Sequence, residues 1–246
     1  ATPTCRAPAA RSGSTPCPRA SPSTRRGNCA TRSVPIQAVG AGRVGGDELT
    51  GHGPDLAQGV PAFVIAGPAK SGRSTVLMNM ARSFLAQGVR LVVAAPRRSP
   101  LRELEGHEQV LKVFTGDDID EDEFEELIDE AEPTPETPVV VVVDDGEVLE
   151  DCDAEGQFKK LIQRGSERGL ALVIAGDEED VCSGFSGWQV DAKKARRGIL
   201  LSPQDSSSGD LIGVRVSRGQ VGGQVAPGKG MLHLGNGELA TVTTPL

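Results

Sequence analysis

The sequence predicts an α/β fold in which a doubly wound, mostly parallel sheet carries a small C-terminal β-hairpin appendage. From residue 61 onward, short apolar runs alternate with amphipathic stretches of helical period, as in a parallel sheet covered by helices. Five consecutive valines at residues 139–143 are typical of a central strand that is buried on both faces. A glycine-rich segment also separates the first apolar run from the first helical stretch.

The elements follow from these periodicities in chain order. Strands are predicted at residues 62–66, 89–95, 110–114, 139–143, 171–175 and 198–202. Helices are predicted at residues 74–87 with Gly88 as the stop signal, near 100–105, at 120–131 and at 154–168. The C-terminal part predicts short strands at 211–216, 231–234 and 238–243, with Asn236 and Gly237 forming a type I′ hairpin turn.

Residues 1–33 differ in composition from the rest of the chain. They contain six arginines, no acidic residue, and no leucine, isoleucine, valine, methionine or phenylalanine that could form a core. Such a segment cannot offset its ordering entropy, so we expect a disordered tail at 1–33 and a folded domain at 34–246. The lack of an initiator Met leads us to expect a fragment of a longer protein, and the abrupt change of composition near Val34 is also compatible with a mis-joined reading frame.

The charge distribution bears on possible partners. The net charge is −8, and removing the six positive charges of residues 1–33 leaves −14 on the folded part. A body this acidic lacks the clustered cations that nucleic-acid binding needs, so we expect little DNA binding by this chain itself. No apolar run approaches the ~18 residues that span a bilayer, and we expect no direct membrane insertion.

Residues 67–74 fit the phosphate-loop pattern G-x-x-x-x-G-[K/R]-[S/T], with arginine in the usual lysine position. Backbone N–H groups of such a loop point at phosphate oxygens, and the helix behind it adds a favourable dipole. The predicted nucleotide-binding residues are Gly67, Pro68, Ala69, Lys70, Ser71, Gly72, Arg73, Ser74 and Thr75. The predicted ligands are ATP and Mg²⁺, and the alternative is a glycine-rich turn that binds nothing.

The valine run ends in Asp144 and Asp145, which has the form of a Walker B strand that delivers a carboxylate to magnesium. We expect Ser74 and Asp144 to hold the metal. Asp145 and Arg73 are the candidate catalytic residues, as water-activating base and as cation at the terminal phosphates. The alternative is a buried strand that ends in a polar turn.

Two departures from the usual motifs bear on catalysis. Arg73 brings a planar fork where a compact ammonium is usual. Asp145 stands where RecA-like ATPases usually hold a glutamate, so the base is drawn back by roughly 1.5 Å, and misplacement of ~1 Å can lower a rate on the order of 100-fold. Both changes predict nucleotide binding with weak or absent hydrolysis. Lys70 offers a compensating charge, although a lysine at that place is more often solvated.

Several other patterns are weaker. Residues 40–45 match G-x-G-x-x-G, but the sequence that follows cannot open a helix. The acidic run 117–132 is expected to be a solvated helix face rather than a calcium loop. The three histidines are expected at the surface or in loops. Arg196 and Arg197 could include an arginine finger, although a basic helix end is the simpler interpretation.

The order of several segments resembles an FtsK/SpoIIIE-type ATPase domain. These segments are residues 46–50, 54–56, 63–75, 141–145, 196–203, 209–213 and 228–232. The similarity covers about 34–246 and is greatest to the last, degenerate ATPase module of multi-domain actinobacterial members, including type VII secretion ATPases. It implies a RecA-like P-loop core and a ring of ATPase domains with nucleotide at the subunit junctions. It also implies a parent protein at the cytoplasmic face of the membrane, acting on DNA or an exported protein. Gly176 and Asp177 replace the polar Thr-Gln-type signature of active motors.

The leading hypothesis is therefore an ATP-binding module of a larger translocase that hydrolyses ATP weakly or not at all and has a regulatory or substrate-recognition role. The first alternative is an active ATP-driven DNA translocase motor. The second is a nucleotide-free module that keeps the fold for assembly only.

Overall fold

The computed structural model describes residue 56, residues 59–183 and residues 187–244. Within them, eight strands form one sheet in the order β3-β2-β4-β5-β1-β6-β7-β8. Their bounds are β1 Ala62–Ala66, β2 Arg90–Ala94, β3 Val110–Phe114, β4 Val139–Val143, β5 Leu170–Gly176, β6 Gly198–Leu201, β7 Lys229–His233 and β8 Leu239–Thr243. The first six strands are parallel, and β7 and β8 are antiparallel. The predicted fold class is confirmed.

Helices cover both faces of the sheet. The α-helices are α1 Arg73–Ala86, α2 Glu121–Ala131, α3 Glu155–Arg168, α4 Glu178–Ser183 and α5 Trp188–Lys193. Short 3₁₀ helices lie at Pro100–Leu104, Gly146–Leu149, Ser206–Ile212 and Arg218–Gln220. The predicted helices agree with α1, α2, α3 and the first 3₁₀ helix to within about two residues, whereas α4, α5 and the other 3₁₀ helices were not predicted.

The valine run shows why the sheet is wound on both sides. Successive side chains of a strand point to opposite faces. Val139, Val141 and Val143 pack in one core with α2, α3 and α5, and Val140 and Val142 pack in a second core with α1. All five valines are buried, so β4 is a central strand as the sequence predicts.

The predicted C-terminal hairpin is present as β7 and β8, and it continues the main sheet, because β7 pairs with β6 along Gly198–Leu201. The C-terminal part differs from the expectation in two ways. The prediction of a strand at 211–216 is wrong, because the end of the 3₁₀ helix Ser206–Ile212 and an irregular segment cover these residues. The type I′ turn is also wrong. Gly235 and Gly237 have positive φ angles but Asn236 does not, so a longer loop joins β7 and β8.

The histidine expectation is only partly right. His107 is exposed, but His233 is buried, and its Nδ1 lies 2.8 Å from the carbonyl oxygen of Arg196 and 2.7 Å from that of Ile212. The ring joins β7 to the segments that flank β6, which is a structural role. His52, the G-x-G-x-x-G segment 40–45 and the predicted tail 1–33 lie outside the described residues.

Candidate functional site

The predicted phosphate loop lies between β1 and α1, at the carboxyl edge of the parallel strands. β5 lies between β1 and β4, and all three run in the same direction. Their carboxyl ends therefore bring three segments together, namely the loop after Ala66, Asp144 after β4, and Asp177 after β5. Crevices at this edge of an open parallel sheet are the usual ligand sites of α/β proteins.

The loop backbone has the close turns that a phosphate cradle needs. Lys70 has a φ of 67° and Gly72 a φ of 98°. A side chain at Gly67 would place its Cβ 2.5 Å from the carbonyl oxygen of Leu201, so only glycine fits there. The first turn of α1 has no side-chain cap, and helix N-termini of this kind offer free N–H groups to an anion.

The side chains of the loop divide into exposed and buried ones. Ala69 and Lys70 are exposed, while Pro68, Ser74 and Thr75 are partly exposed. Ser71 is fully buried, and its Oγ has no hydrogen-bond partner among the described residues. An unpartnered hydroxyl inside a loop of this shape fits a site that takes a polar ligand.

Arg73 is turned toward the carboxylates beside the loop. Its Nη1 donates to the carbonyl oxygen of Gly67 at 2.8 Å and to Oδ2 of Asp177 at 3.1 Å. Its Nη2 lies 3.7 Å from Oδ1 of Asp145. The cation expected at the terminal phosphates thus already contacts two acidic residues of its own chain.

Asp144 is 1% exposed and lies at the end of β4. The hydroxyl of Ser99 donates to its Oδ2 at 2.6 Å, and the backbone N–H of Asp145 approaches its Oδ1 at 3.2 Å. These bonds fix a buried carboxylate in one orientation. Together with the Ser74 hydroxyl it would form an all-oxygen donor set, which suits Mg²⁺. No group of three or more His, Cys, Asp or Glu side chains in the described part could hold a metal.

Asp145 lies in the left-handed region with a φ of 47°. Arg97, on the segment after β2, lies 3.9 Å from its Oδ1 and donates to Glu147 Oε1 at 2.9 Å. Burial raises the pKa of Asp145, and the negative charges of Asp144 and Glu147 raise it further, while Arg73 and Arg97 act in the opposite direction. A raised pKa is a property of many catalytic bases and also of crowded carboxylates.

Arg196 and Arg197 differ in position. Arg197 is buried, and its Nε donates to the carbonyl oxygen of Ala62 at 3.2 Å, while Nη2 donates to that of Val60. These bonds fix the start of β1. Arg196 is exposed, and its side chain packs over Gly213. Only Arg196 therefore remains as a candidate arginine finger.

Sequence reasoning missed several residues that shape the site: Arg97, Ser99, Glu147 and Gly228. Arg97 and Ser99 follow β2, which is the neighbour of β4 in the sheet. Their position just after a predicted strand was the only feature of the sequence that could have indicated a role at the site. Glu147 lies near Asp145 in sequence but no motif selects it. Gly228 comes from the far end of the chain and donates its N–H to the carbonyl oxygen of Ser71 at 2.8 Å.

A cavity of about 180 Å³ lies elsewhere, between α2 and α3. Phe124, Ile128 and Leu161 form its apolar wall, and Lys160 and Arg164 are at its rim. No residue of the phosphate loop lines it. The chemistry of the loop, rather than cavity size, therefore identifies the candidate site.

Solved structures with the same fold include ATPase domains. The chain superposes on Thermomonospora curvata EccC (ATPases 2 and 3 with a signal sequence peptide) with a TM-score of 0.67 and 18% identity, over 87% of this chain and 41% of that one. It superposes on EssC (ATPases 2 and 3) from Geobacillus thermodenitrificans with a TM-score of 0.65 and 18% identity, over 89% of this chain and 42% of that one. It superposes on the pCW3 conjugation coupling protein TcpA, solved as a monomer with ATPγS, with a TM-score of 0.60 and 17% identity, over 84% of this chain and 64% of that one.

The chain thus spans about two fifths of the EccC and EssC chains that it matches. No protein-family model matches it, and no curated protein sequence is detectably similar to it. The structural neighbours confirm, at the level of the fold, the resemblance to FtsK/SpoIIIE-type P-loop ATPase modules. Every helix among the described residues is too short or too polar to span a bilayer.

Proposed function

We propose, from the fold it shares with ATPase domains of type VII secretion proteins, that this chain is an ATP-binding module of a larger translocase. The observation that carries the proposal is the placement of the β1–α1 loop opposite Asp144, across the end of β5. Residues 67–75 of this loop surround the phosphates, and their backbone N–H groups, which Pro68 alone lacks, donate to the phosphate oxygens. Ser74 and Asp144 hold Mg²⁺, which shields the phosphate charge.

The geometry supports binding better than hydrolysis. Arg73 contacts Asp177 and Asp145, so part of its charge is already neutralised before a phosphate arrives. Asp145 is itself engaged with Arg73 and Arg97, and its shorter side chain holds the carboxylate back from an attacking water. A misplaced base and a compromised cation both lower turnover, because catalysis depends on their alignment in the transition state.

The module works within a larger assembly. EccC and EssC were solved as pieces that contain two ATPase domains each, and our chain corresponds in size to one. We propose that other ATPase domains of the same or a neighbouring chain form a ring with it, at the cytoplasmic face of the membrane. EccC was solved with a signal sequence peptide, which favours an exported protein over DNA as the cargo of the assembly. A weakly hydrolysing domain in such a ring has a regulatory or substrate-recognition role.

Titration with a fluorescent ATP analogue and Mg²⁺ tests the nucleotide site. Ala69 is exposed in the loop, so Ala69→Glu should leave the fold intact while placing a negative charge beside the phosphates. We expect saturable binding by the wild type and at least about tenfold weaker binding by Ala69→Glu, which corresponds to about 1.4 kcal/mol. Ala86→Glu makes the same exchange at the exposed end of α1 and should bind like the wild type.

Two results separate the alternatives, one from this titration and one from DNA binding by residues 34–246. No saturable binding at millimolar nucleotide would favour the assembly-only module. A shift of duplex DNA at physiological salt by residues 34–246 would favour the DNA motor, since the charge of −14 on this part predicts none.

A further inference from the structure

We propose that Asp177 is a built-in competitor of the nucleotide: its carboxylate occupies the anion position at Arg73 and thereby lowers the affinity of the site for ATP. The inference rests on the proposed function, because it concerns the same site. It assigns to Asp177 a role as a positioning residue that acts through Arg73.

The first step is the place of the guanidinium. Nη1 of Arg73 bonds at the same time to the carbonyl oxygen of Gly67, at 2.8 Å, and to Oδ2 of Asp177, at 3.1 Å. Gly67 is the first residue of the phosphate loop, so the guanidinium is tied to the loop itself. The Arg73 and Asp177 side chains are only 14% and 28% exposed, so water and salt screen the pair less than a surface ion pair.

The second step is that Asp177 is held ready for this contact. Its other carboxylate oxygen, Oδ1, accepts the backbone N–H of Glu179 at 3.1 Å, at the start of α4. Its own N–H approaches Oε2 of Glu147 at 3.3 Å, and it follows the fully buried strand β5. Oδ1 therefore accepts a hydrogen bond from the start of α4, and Oδ2 accepts one from Arg73. These two bonds restrict the rotation of the Asp177 side chain.

The third step concerns an arriving triphosphate. Carboxylate and phosphate use the same donors of an arginine fork. If Arg73 turns to the phosphate, Asp177 loses its cation and remains beside the phosphate charge. If Arg73 stays with Asp177, the phosphate loses its cation. In either arrangement the carboxylate lowers the affinity, and Asp145 at 3.7 Å from Nη2 acts in the same direction.

The exchange Asp177→Asn isolates this effect. The amide oxygen of asparagine can still accept the Glu179 N–H, so the start of α4 is kept while the charge at Arg73 is lost. We expect the dissociation constant for Mg-ATP to fall about tenfold. Glu179→Gln is the matched control, because it removes one negative charge from an exposed side chain two residues away. We expect it to change the constant by less than about twofold.

A third variant checks that Asp177 acts through Arg73. In an Arg73→Gln background, Asp177→Asn should improve binding by no more than about threefold, because no guanidinium remains to be released. An undiminished tenfold gain there would mean that the charge alone matters, and would overturn the role assigned to Asp177. Equal or weaker binding by Asp177→Asn alone would also overturn it, with the nucleotide site itself intact. Absence of binding by every variant would instead reject the proposed function.

Discussion

The backbone N–H of Gly228 donates to the carbonyl oxygen of Ser71 over 2.8 Å, which joins the segment before β7 to the phosphate loop. Gly228 in turn accepts, through its own carbonyl oxygen, the N–H of Thr244 at 2.7 Å. The loop near the start of the domain is therefore held in shape by residues from its end. The β6–β7 pairing places the hairpin in the sheet, and this contact adds a second link between the C-terminal segment and the loop.

The first prediction concerns this brace. Gly228 has a φ of 74°, and an added Cβ would lie 2.6 Å from the carbonyl oxygen of Thr244. Gly228→Ala should therefore lower the melting temperature and also weaken ATP binding, because Ser71 loses its support. Strain of this kind is of order 1–3 kcal/mol, and each kcal/mol shifts the melting temperature of a domain this size by about 2–4 °C.

Gly237→Ala is the control for that experiment. Gly237 has a similar φ of 83°, but no atom lies within 4 Å of an added Cβ. Gly237→Ala should lower the melting temperature through backbone strain alone and leave nucleotide binding unchanged. If both variants bind ATP like the wild type, Gly228 does not support the loop.

The second prediction concerns magnesium. Asp144→Asn replaces the buried carboxylate by an amide whose oxygen can still accept from Ser99. We expect ATP binding in Mg²⁺ to weaken about tenfold, and binding in EDTA to stay the same, because the amide is a poorer ligand of a hard cation. Asp151→Asn, an exposed site, should leave both values unchanged. Equal loss with and without Mg²⁺ would place Asp144 outside the metal shell.

The third prediction concerns turnover. Arg73→Lys together with Asp145→Glu restores the usual motif residues, and we expect ATP hydrolysis to rise by at least about 100-fold, since rate depends steeply on the position of the base. Each single exchange should restore less, because both groups must be aligned in the transition state. Steady-state phosphate release measures the rates. If the wild-type domain turns over several ATP per second once it is assembled with partner domains, the site is competent and the weak-hydrolysis proposal is wrong.

The fourth prediction concerns pH. Glu178 is 3% exposed, and burial raises its pKa above the ordinary 4.5, although the Gln204 N–H and the Ser208 side chain favour the charged form. The folded state therefore binds the proton more tightly than the unfolded state. The buried charge of Glu178 lowers the free energy of unfolding as the pH rises through the pKa that this group has in the folded state. The effect is absent below the pKa that it has in the unfolded state.

We accordingly expect Glu178→Gln to melt at a higher temperature than the wild type at pH 7–8, by a few degrees, with the gap closing toward pH 4. Thermal unfolding followed by circular dichroism across this range measures the gap. Glu179→Gln, the same exchange on an exposed neighbour, should show no gap that depends on pH. A gap for Glu178→Gln that persists at pH 4 would point to packing rather than charge.

The sequence by itself determined the parallel sheet, the helices α1 to α3 and the glycine-rich turn between β1 and α1. These features depend on signals that are local in the chain. The five valines at 139–143 have apolar side chains on both faces of the strand, so the strand is stable only when both faces are buried. The apolar residues of α1 repeat at the helical period. The glycines at 67 and 72 belong to a pattern that needs close backbone turns. Each of these signals can be identified within about fifteen residues.

Only the tertiary structure decided what Arg73 contacts. Its partners Asp177 and Asp145 are far apart in sequence, and they meet it because β5 lies between β1 and β4. The sequence likewise could not show that Gly228 supports Ser71, or that Arg197 and His233 are buried among backbone carbonyl groups. Strand order sets these contacts, and strand order depends on the free energy of the whole packed sheet rather than on any local segment.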